Sequence, residues 1–231
     1  MRGYTMHVVL SVGGSTMSHN GKPDIEFLKK IAAILKKSKH TFGIVTGGGN
    51  TARIYADAAR ELGANEFEAD AVAILSTKKN AHIMRYALKG LAYQNVLDDF
   101  EEARAVAEHH KVVVMGGTIP GITTDTDSVL LAEAMEAPRL VNVSNVDAIY
   151  DSDPKVNKNA KKFSKLTYEE LNMLAAKSDM RKAGTHFVFD MLACKLIQRS
   201  GIETHFVSGK NLKDLEKAID GKPHGGTIVK A

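Results

Sequence analysis

His7-Val8-Val9-Leu10-Ser11-Val12-Gly13-Gly14 is the stretch whose reading decides the fold. A short apolar run that breaks on two glycines reads as a buried strand feeding a tight turn. The same pattern recurs twice: Thr41 to Thr46 breaks on Gly47-Gly48-Gly49, and Lys111 to Met115 breaks on Gly116-Gly117. Between the first two strands Ile25, Leu28, Ile31, Ala32 and Leu35 recur at helical spacing. That spacing predicts a helix over Asp24 to Lys37, with Pro23 at its entrance. Helical character resumes over Thr51 to Leu62, Asp70 to Leu88 and Phe100 to His110.

After the third glycine turn a polar loop runs to Asp125, followed by a helix over Ser128 to Met135 and a strand over Leu140 to Val143. Asn145 to Lys165 is polar and reads as a long functional loop. Helices are expected over Tyr168 to Ala176, Asp190 to Arg199 and Leu212 to Ile219, with strands over Thr204 to Val207 and Thr227 to Val229. Strands alternating with helices predict a three-layer α/β/α sandwich around a largely parallel central sheet. The composition changes near Asn145, which allows two lobes, about 1–144 and 145–231, within one domain.

Composition narrows the class. The 231 residues are 44% hydrophobic and 25% charged, which excludes collagen, coiled coil and global disorder. A single cysteine, Cys194, rules out a disulfide framework and fits a reducing cytosol. No apolar run approaches the length of a membrane span, and the N-terminus lacks the pattern of a signal peptide, so a soluble, cytoplasmic protein without membrane partners is expected. The net charge of +4 is concentrated in Lys155, Lys158, Lys161, Lys162 and Lys165. Such a run reads as a solvated loop, a polyphosphate contact or a nucleic-acid contact. With no tryptophan and 6% aromatics, base-stacking platforms are missing, and no nucleic-acid partner is expected.

The glycines matter by position. In a parallel sheet the C-terminal ends of the strands share one edge, where ligands bind. Glycine lets backbone N–H groups approach an anion, and the helix that follows aims its positive end there. One such turn alone reads equally as a tight connection; three favour a site for more than one phosphate. Neither common phosphate motif is present. Gly21-Lys22, Gly209-Lys210 and Gly221-Lys222 are followed by Pro23, Asn211 and Pro223, not by the Ser or Thr of a P-loop, and Gly47-Gly48-Gly49-Asn50-Thr51-Ala52 is not a dinucleotide fingerprint.

In this order of motifs the sequence resembles the amino-acid-kinase superfamily, and most closely its archaeal-type uridylate kinases. The resemblance runs through nearly the whole chain. It is carried by Gly13-Gly14-Ser15, Gly47-Gly48-Gly49 with Arg53, Asp70, Asn80, Gly116-Gly117-Thr118 and Thr123-Thr124-Asp125. Asn145-Val146-Asp147, Tyr150 to Pro154, Lys182-Ala183-Gly184 and Asp190 complete it. It implies a homo-oligomer, commonly a hexamer, that moves the γ-phosphoryl of ATP onto UMP with Mg²⁺ accompanying the ATP and no dedicated protein metal site.

The resemblance places UMP at Gly47, Gly48, Arg53, Asp70, Thr118 and Thr124, and ATP at Gly13, Gly14, Ser15, Asn145, Tyr150 and Asp153. Asp125, Arg53 and Asp190 fall at the reaction centre. The residues have simpler readings as well. Arg53 fits a surface arginine, Asp70 a helix-dipole partner, and Thr124, Asp125, Asp127 and Asp190 helix caps. One departure stands out: many superfamily members carry a lysine two residues before the first double glycine, and here that position is Ser11. Two alternatives stay open, a kinase of the same fold acting on another small phosphate or acid, and a catalytically weak nucleotide-binding regulatory or storage protein.

Overall fold

The computed structural model describes residues 5–19, 21–154, 156–179 and 189–231. From the N-terminus the elements are β1 (His7–Val12), α1 (Gly14–Met17), β2 (Ser18–His19), β3 (Lys22–Pro23), α2 (Ile25–Lys37), β4 (Thr41–Thr46), α3 (Gly49–Glu61) and α4 (Glu66–Ala87). They continue with β5 (Ala92–Leu97), α5 (Phe100–Ala107), β6 (Val112–Met115), α6 (Thr124–Ala134), β7 (Arg139–Ser144), β8 (Ile149–Tyr150), β9 (Lys162–Phe163) and β10 (Lys165–Leu166). Last come α7 (Tyr168–Asp179), α8 (Met191–Ser200), β11 (Glu203–Ser208), α9 (Leu212–Ile219) and β12 (Thr227–Val229).

Eight strands form one sheet in the order β10-β12-β11-β7-β1-β4-β6-β5. Every neighbouring pair is parallel except β11 and β12. The expected sandwich is therefore the observed one. Side chains alternate between its two faces, as the strand period requires. Val8, Leu10, Val12, Phe42 and Ile44 pack with α2, α4 and α9, while Val9, Val45, Val113 and Leu140 pack with α5, α6, α7 and α8. Ser11 shares the period of Val9, so it faces α6.

Several boundaries differ from those expected. α4 begins at Glu66, a turn before Asp70, because Asn65 and Glu68 form a reciprocal capping box. α6 begins at Thr124, not Ser128; its cap is Thr123, whose hydroxyl accepts from the backbone N–H groups of Asp125 and Thr126. This corrects the reading of Thr124, Asp125 or Asp127 as caps. β5 went unread because Ala92, Tyr93, Gln94 and Asn95 show no clean alternation in an edge strand. The polar stretch 145–165 contains the short β8–β9 hairpin.

The three glycine turns follow β1, β4 and β6, which lie side by side, with Val12 paired to Thr46 and Val45 to Met115. All three turns therefore stand on one rim. The first two are pressed backbone to backbone. A Cβ on Gly14 would lie 2.3 Å from the Gly49 nitrogen and 2.5 Å from the Gly47 oxygen. We expect Gly14→Ala to destabilise the chain by about 3 kcal/mol, the upper range for overpacking, because backbone cannot swing aside as a side chain can. Urea denaturation checks this; an unchanged midpoint would show that the two turns are free to separate.

Candidate active site

The rim is built by α4 as well as by the sheet. Thr77 donates its hydroxyl to the Ile74 carbonyl at 2.6 Å and accepts from the Gly117 N–H at 2.7 Å. The Asn80 amide donates to the Gly47 carbonyl at 2.7 Å, and Thr46 donates to the Thr77 carbonyl at 3.0 Å. One helix thus ties the second glycine turn to the third. Gly13 N–H donates to the Val143 carbonyl and Gly47 N–H to that of Val12, both at 2.9 Å, so the ladder runs into the turns. Gly209, after β11, donates to the Ser144 carbonyl at 2.8 Å and adds a fourth glycine to the rim.

Arg53 lies in the second turn of α3, exposed, and makes no ion pair or hydrogen bond with any described residue. Asp70 is half-buried, and its Oδ2 accepts from the Gly121 N–H at 2.9 Å, which anchors the loop after β6. Thr118 donates its hydroxyl to Asp127 Oδ1 at 2.6 Å, leaving the oxygen's lone pairs for any further contact. The Thr124 hydroxyl lies near the Gly47 turn and its methyl near Gly117, so Thr124 sits between the second and third turns.

Asp125, Asp127 and Asp190 gather at the start of α6 and the N-terminus of α8. Asp125 Oδ1 accepts twice, from Ser11 Oγ at 2.9 Å and from Asn142 Nδ2 at 3.0 Å. Burial, with Asp190 adding repulsion, outweighs these two bonds and pushes the Asp125 carboxyl up to about 7. Burial likewise raises Asp127, which is 1% exposed, to about 6 despite the bonds from Thr118. Asp190 caps α8 through the Ala193 N–H at 2.9 Å and also accepts from the Thr123 and Thr126 hydroxyls of α6. It is a cap and a clamp between helices at once.

On the other side of the rim, a cavity of about 250 Å³ is lined by Ser15, Thr16, Ser144, Asn145, Gly209 and Lys210, among others. It brings Ser15 and Asn145 together across the ends of β1 and β7. Tyr150 and Asp153 stand outside its lining. The Tyr150 hydroxyl donates to Asp147 Oδ1 at 2.9 Å, and Lys162 donates to Asp147 Oδ2 at 2.6 Å. Burial works to raise the Asp147 carboxyl, but Lys162 and Tyr150 outweigh it and hold it below the usual carboxylate range. Lys155 and Lys182-Ala183-Gly184 lie outside the described residues.

A rim of glycine turns at the C-terminal edge of a parallel sheet, flanked by a free arginine and a carboxylate cluster, is suited to holding phosphates. The chain belongs to the amino acid kinase family, whose model matches residues 6–208. It is 44% identical over 226 residues to the uridylate kinase of Thermococcus kodakarensis, covering 97% of this chain and 99% of that protein. It is 40% identical over 224 residues to the uridylate kinase of Archaeoglobus fulgidus, covering 97% and 100%. The crystal structure of the Archaeoglobus fulgidus uridylate kinase superposes with a TM-score of 0.82 at 38% identity, over 97% of this chain and all of that one. A UMP kinase from Bacillus anthracis, 22% identical, shares the fold with a TM-score of 0.80 over 97% and 96% of the two chains.

Sequence reasoning missed Thr77, Thr126 and Asn142, and named Thr123 in a motif without its capping role. Asn142 had a signal: it is a polar residue inside the apolar strand Leu140 to Val143, as Ser11 is in β1.

A carboxyl raised in the folded state binds more protons there than in the unfolded chain between about pH 4 and 7, so its contribution to stability falls as pH rises through that window. Asp125→Asn removes the buried charge and keeps an acceptor for Ser11. We expect its melting temperature to exceed that of the parent at pH 8, with the gain fading towards pH 4. A pH-independent difference in thermal melts would contradict the raised carboxyl.

Proposed function

We propose that this chain is a uridylate kinase, transferring the γ-phosphoryl of ATP to UMP to give UDP in pyrimidine nucleotide biosynthesis. The observation that carries this reading is the shared rim of three adjacent glycine turns in a chain similar, over nearly its full length, to uridylate kinases. Phosphoryl transfer requires alignment and charge stabilisation more than covalent help, and a rigid rim of backbone N–H groups supplies alignment.

In this reading residues 1–144 hold the acceptor and 145–231 the donor. Gly47 and Gly48 approach the UMP phosphate, Arg53 grips it through its free guanidinium, and Asp70, Thr118 and Thr124 meet the ribose and uracil. Gly13, Gly14 and Ser15 take the ATP phosphates, with Asn145, Tyr150 and Asp153 towards the nucleoside. Asp125 and Asp190 stand at the reaction centre with Arg53.

Mg²⁺ enters with ATP. Among the described residues no cluster of three or more Asp, Glu, His or Cys side chains could hold an ion, and Asp190 is committed to three protein donors. Mg²⁺ keeps several waters and binds chiefly through substrate phosphates, where it neutralises charge on the transferred group. The assembly proposed is a homohexamer, in the cytoplasm. No helix among the described residues is long and apolar enough to cross a membrane.

An ADP-release assay across UMP, CMP, dTMP, isopentenyl phosphate and small acids tests the reading; UMP should be the preferred acceptor. Turnover with a different acceptor, or ATP binding without turnover on any, would replace it. Arg53→Ala should raise the KM for UMP roughly 10- to 100-fold, the loss expected for a charge-assisted contact, with the KM for ATP little changed. An unchanged KM for UMP would remove Arg53 from the acceptor site.

A further inference from the structure

Two neighbours define what Asp125 can do. Ser11 on β1 and Asn142 on β7 are paired in the parallel register, so both side chains leave the sheet on the face covered by α6. Both donate to the same oxygen, Oδ1. An oxygen that accepts two hydrogen bonds is the carbonyl-like oxygen of a carboxyl group, so a proton on Asp125 belongs on Oδ2. Among the described residues, the charged and titratable groups that act on it are Asp190, the cap of α8, and Cys194 on that helix, with Asp127 one position beyond Thr126 on its own helix.

Asn142 adds a second observation. It is 4% exposed, and its own carbonyl oxygen is buried without a hydrogen-bond partner among the described residues. A buried amide that leaves its acceptor unsatisfied is a poor choice for stability, and an apolar residue of similar shape would fit the strand at less cost. Its single bond to Asp125 is what the amide achieves.

We propose that Ser11 and Asn142 are positioning residues for phosphoryl transfer, which pin Oδ1 of Asp125 and leave Oδ2 as the one oxygen through which that residue acts. The proposal rests on the reading of Asp125 as part of the reaction centre. Where many superfamily members carry a lysine, this chain has Ser11, one of the two neutral donors to the carboxyl. Both donors favour the carboxylate, so removing either one makes the carboxyl harder to ionise.

The test uses Ser11→Ala, Ser11→Thr, Asn142→Leu and Asp125→Asn in the full chain. Ser11→Ala and Asn142→Leu should each lower kcat about 10-fold or more, the range for a hydrogen bond to a charged group, while the KM values for ATP and UMP stay within about twofold. The ionisation in the kcat profile that is lost in Asp125→Asn should move up by about one pH unit in both. Ser11→Thr, which keeps the hydroxyl, should restore the parent profile, and Ser11→Ala should have no further effect on kcat in an Asp125→Asn background. Asn142→Leu should melt no lower than the parent.

An unmoved ionisation, or a loss of kcat that persists in the Asp125→Asn background, would overturn the proposal and leave the two residues structural. Carboxyl-carbon NMR titration of Asp125 in the same variants reads the pinning without turnover. If the parent does not phosphorylate UMP, the functional reading fails, and this titration still decides whether Ser11 and Asn142 govern Asp125.

Discussion

The approach of one backbone to another, Gly14 against Gly47, Gly48 and Gly49, is the constraint on which the rest depends. At that distance Gly14 and Gly49 have no room for a side chain, so the first two turns meet through peptide groups. Peptide groups are what an anion site requires: donors in fixed positions, without rotamers to order on binding. The adjacency of β1 and β4 brings the turns together, and the bonds from Thr77 and Asn80 of α4 hold the second and third turns in place.

The electrostatics of the site are divided. Backbone donors and the Arg53 guanidinium, unpaired among the described residues, offer positive potential along the rim. Behind them three carboxyls gather at one junction of α6 and α8, two pushed up by burial and the third satisfied by two threonine hydroxyls and a helix N-terminus. A fully charged carboxylate cluster would repel any anion bound at the rim. Burial reduces that charge near neutral pH, and neutral donors on Asp125 and Asp127 limit the reduction.

The central strands and the rim were legible because each glycine turn ends a short, mostly apolar run, the pattern of a strand buried on both faces. Helix starts were less legible. Asp70 and Ser128 look like beginnings because apolar periodicity becomes clear there, yet the caps at Asn65 and Thr123 lie a turn earlier, in polar sequence. β5 escaped notice because an edge strand need not alternate. Within the site, Arg53 and Asp125 could be named from motif order, but the partners of Asp125 could not. Ser11 and Asn142 stand 131 positions apart, and only the β1–β7 register makes them neighbours.

The sheet's far edge has a dependency of its own. Among the described residues β10 is hydrogen-bonded into the sheet through β12 alone, a strand that lies about sixty residues later and reverses direction against β11. Residues 165–166 therefore have no seat until the chain has come back with residues 227–229. Loop-closure entropy places that docking late in folding. The edge should also be the first part of the sheet to exchange its amide hydrogens, as a cooperative unit distinct from the central strands.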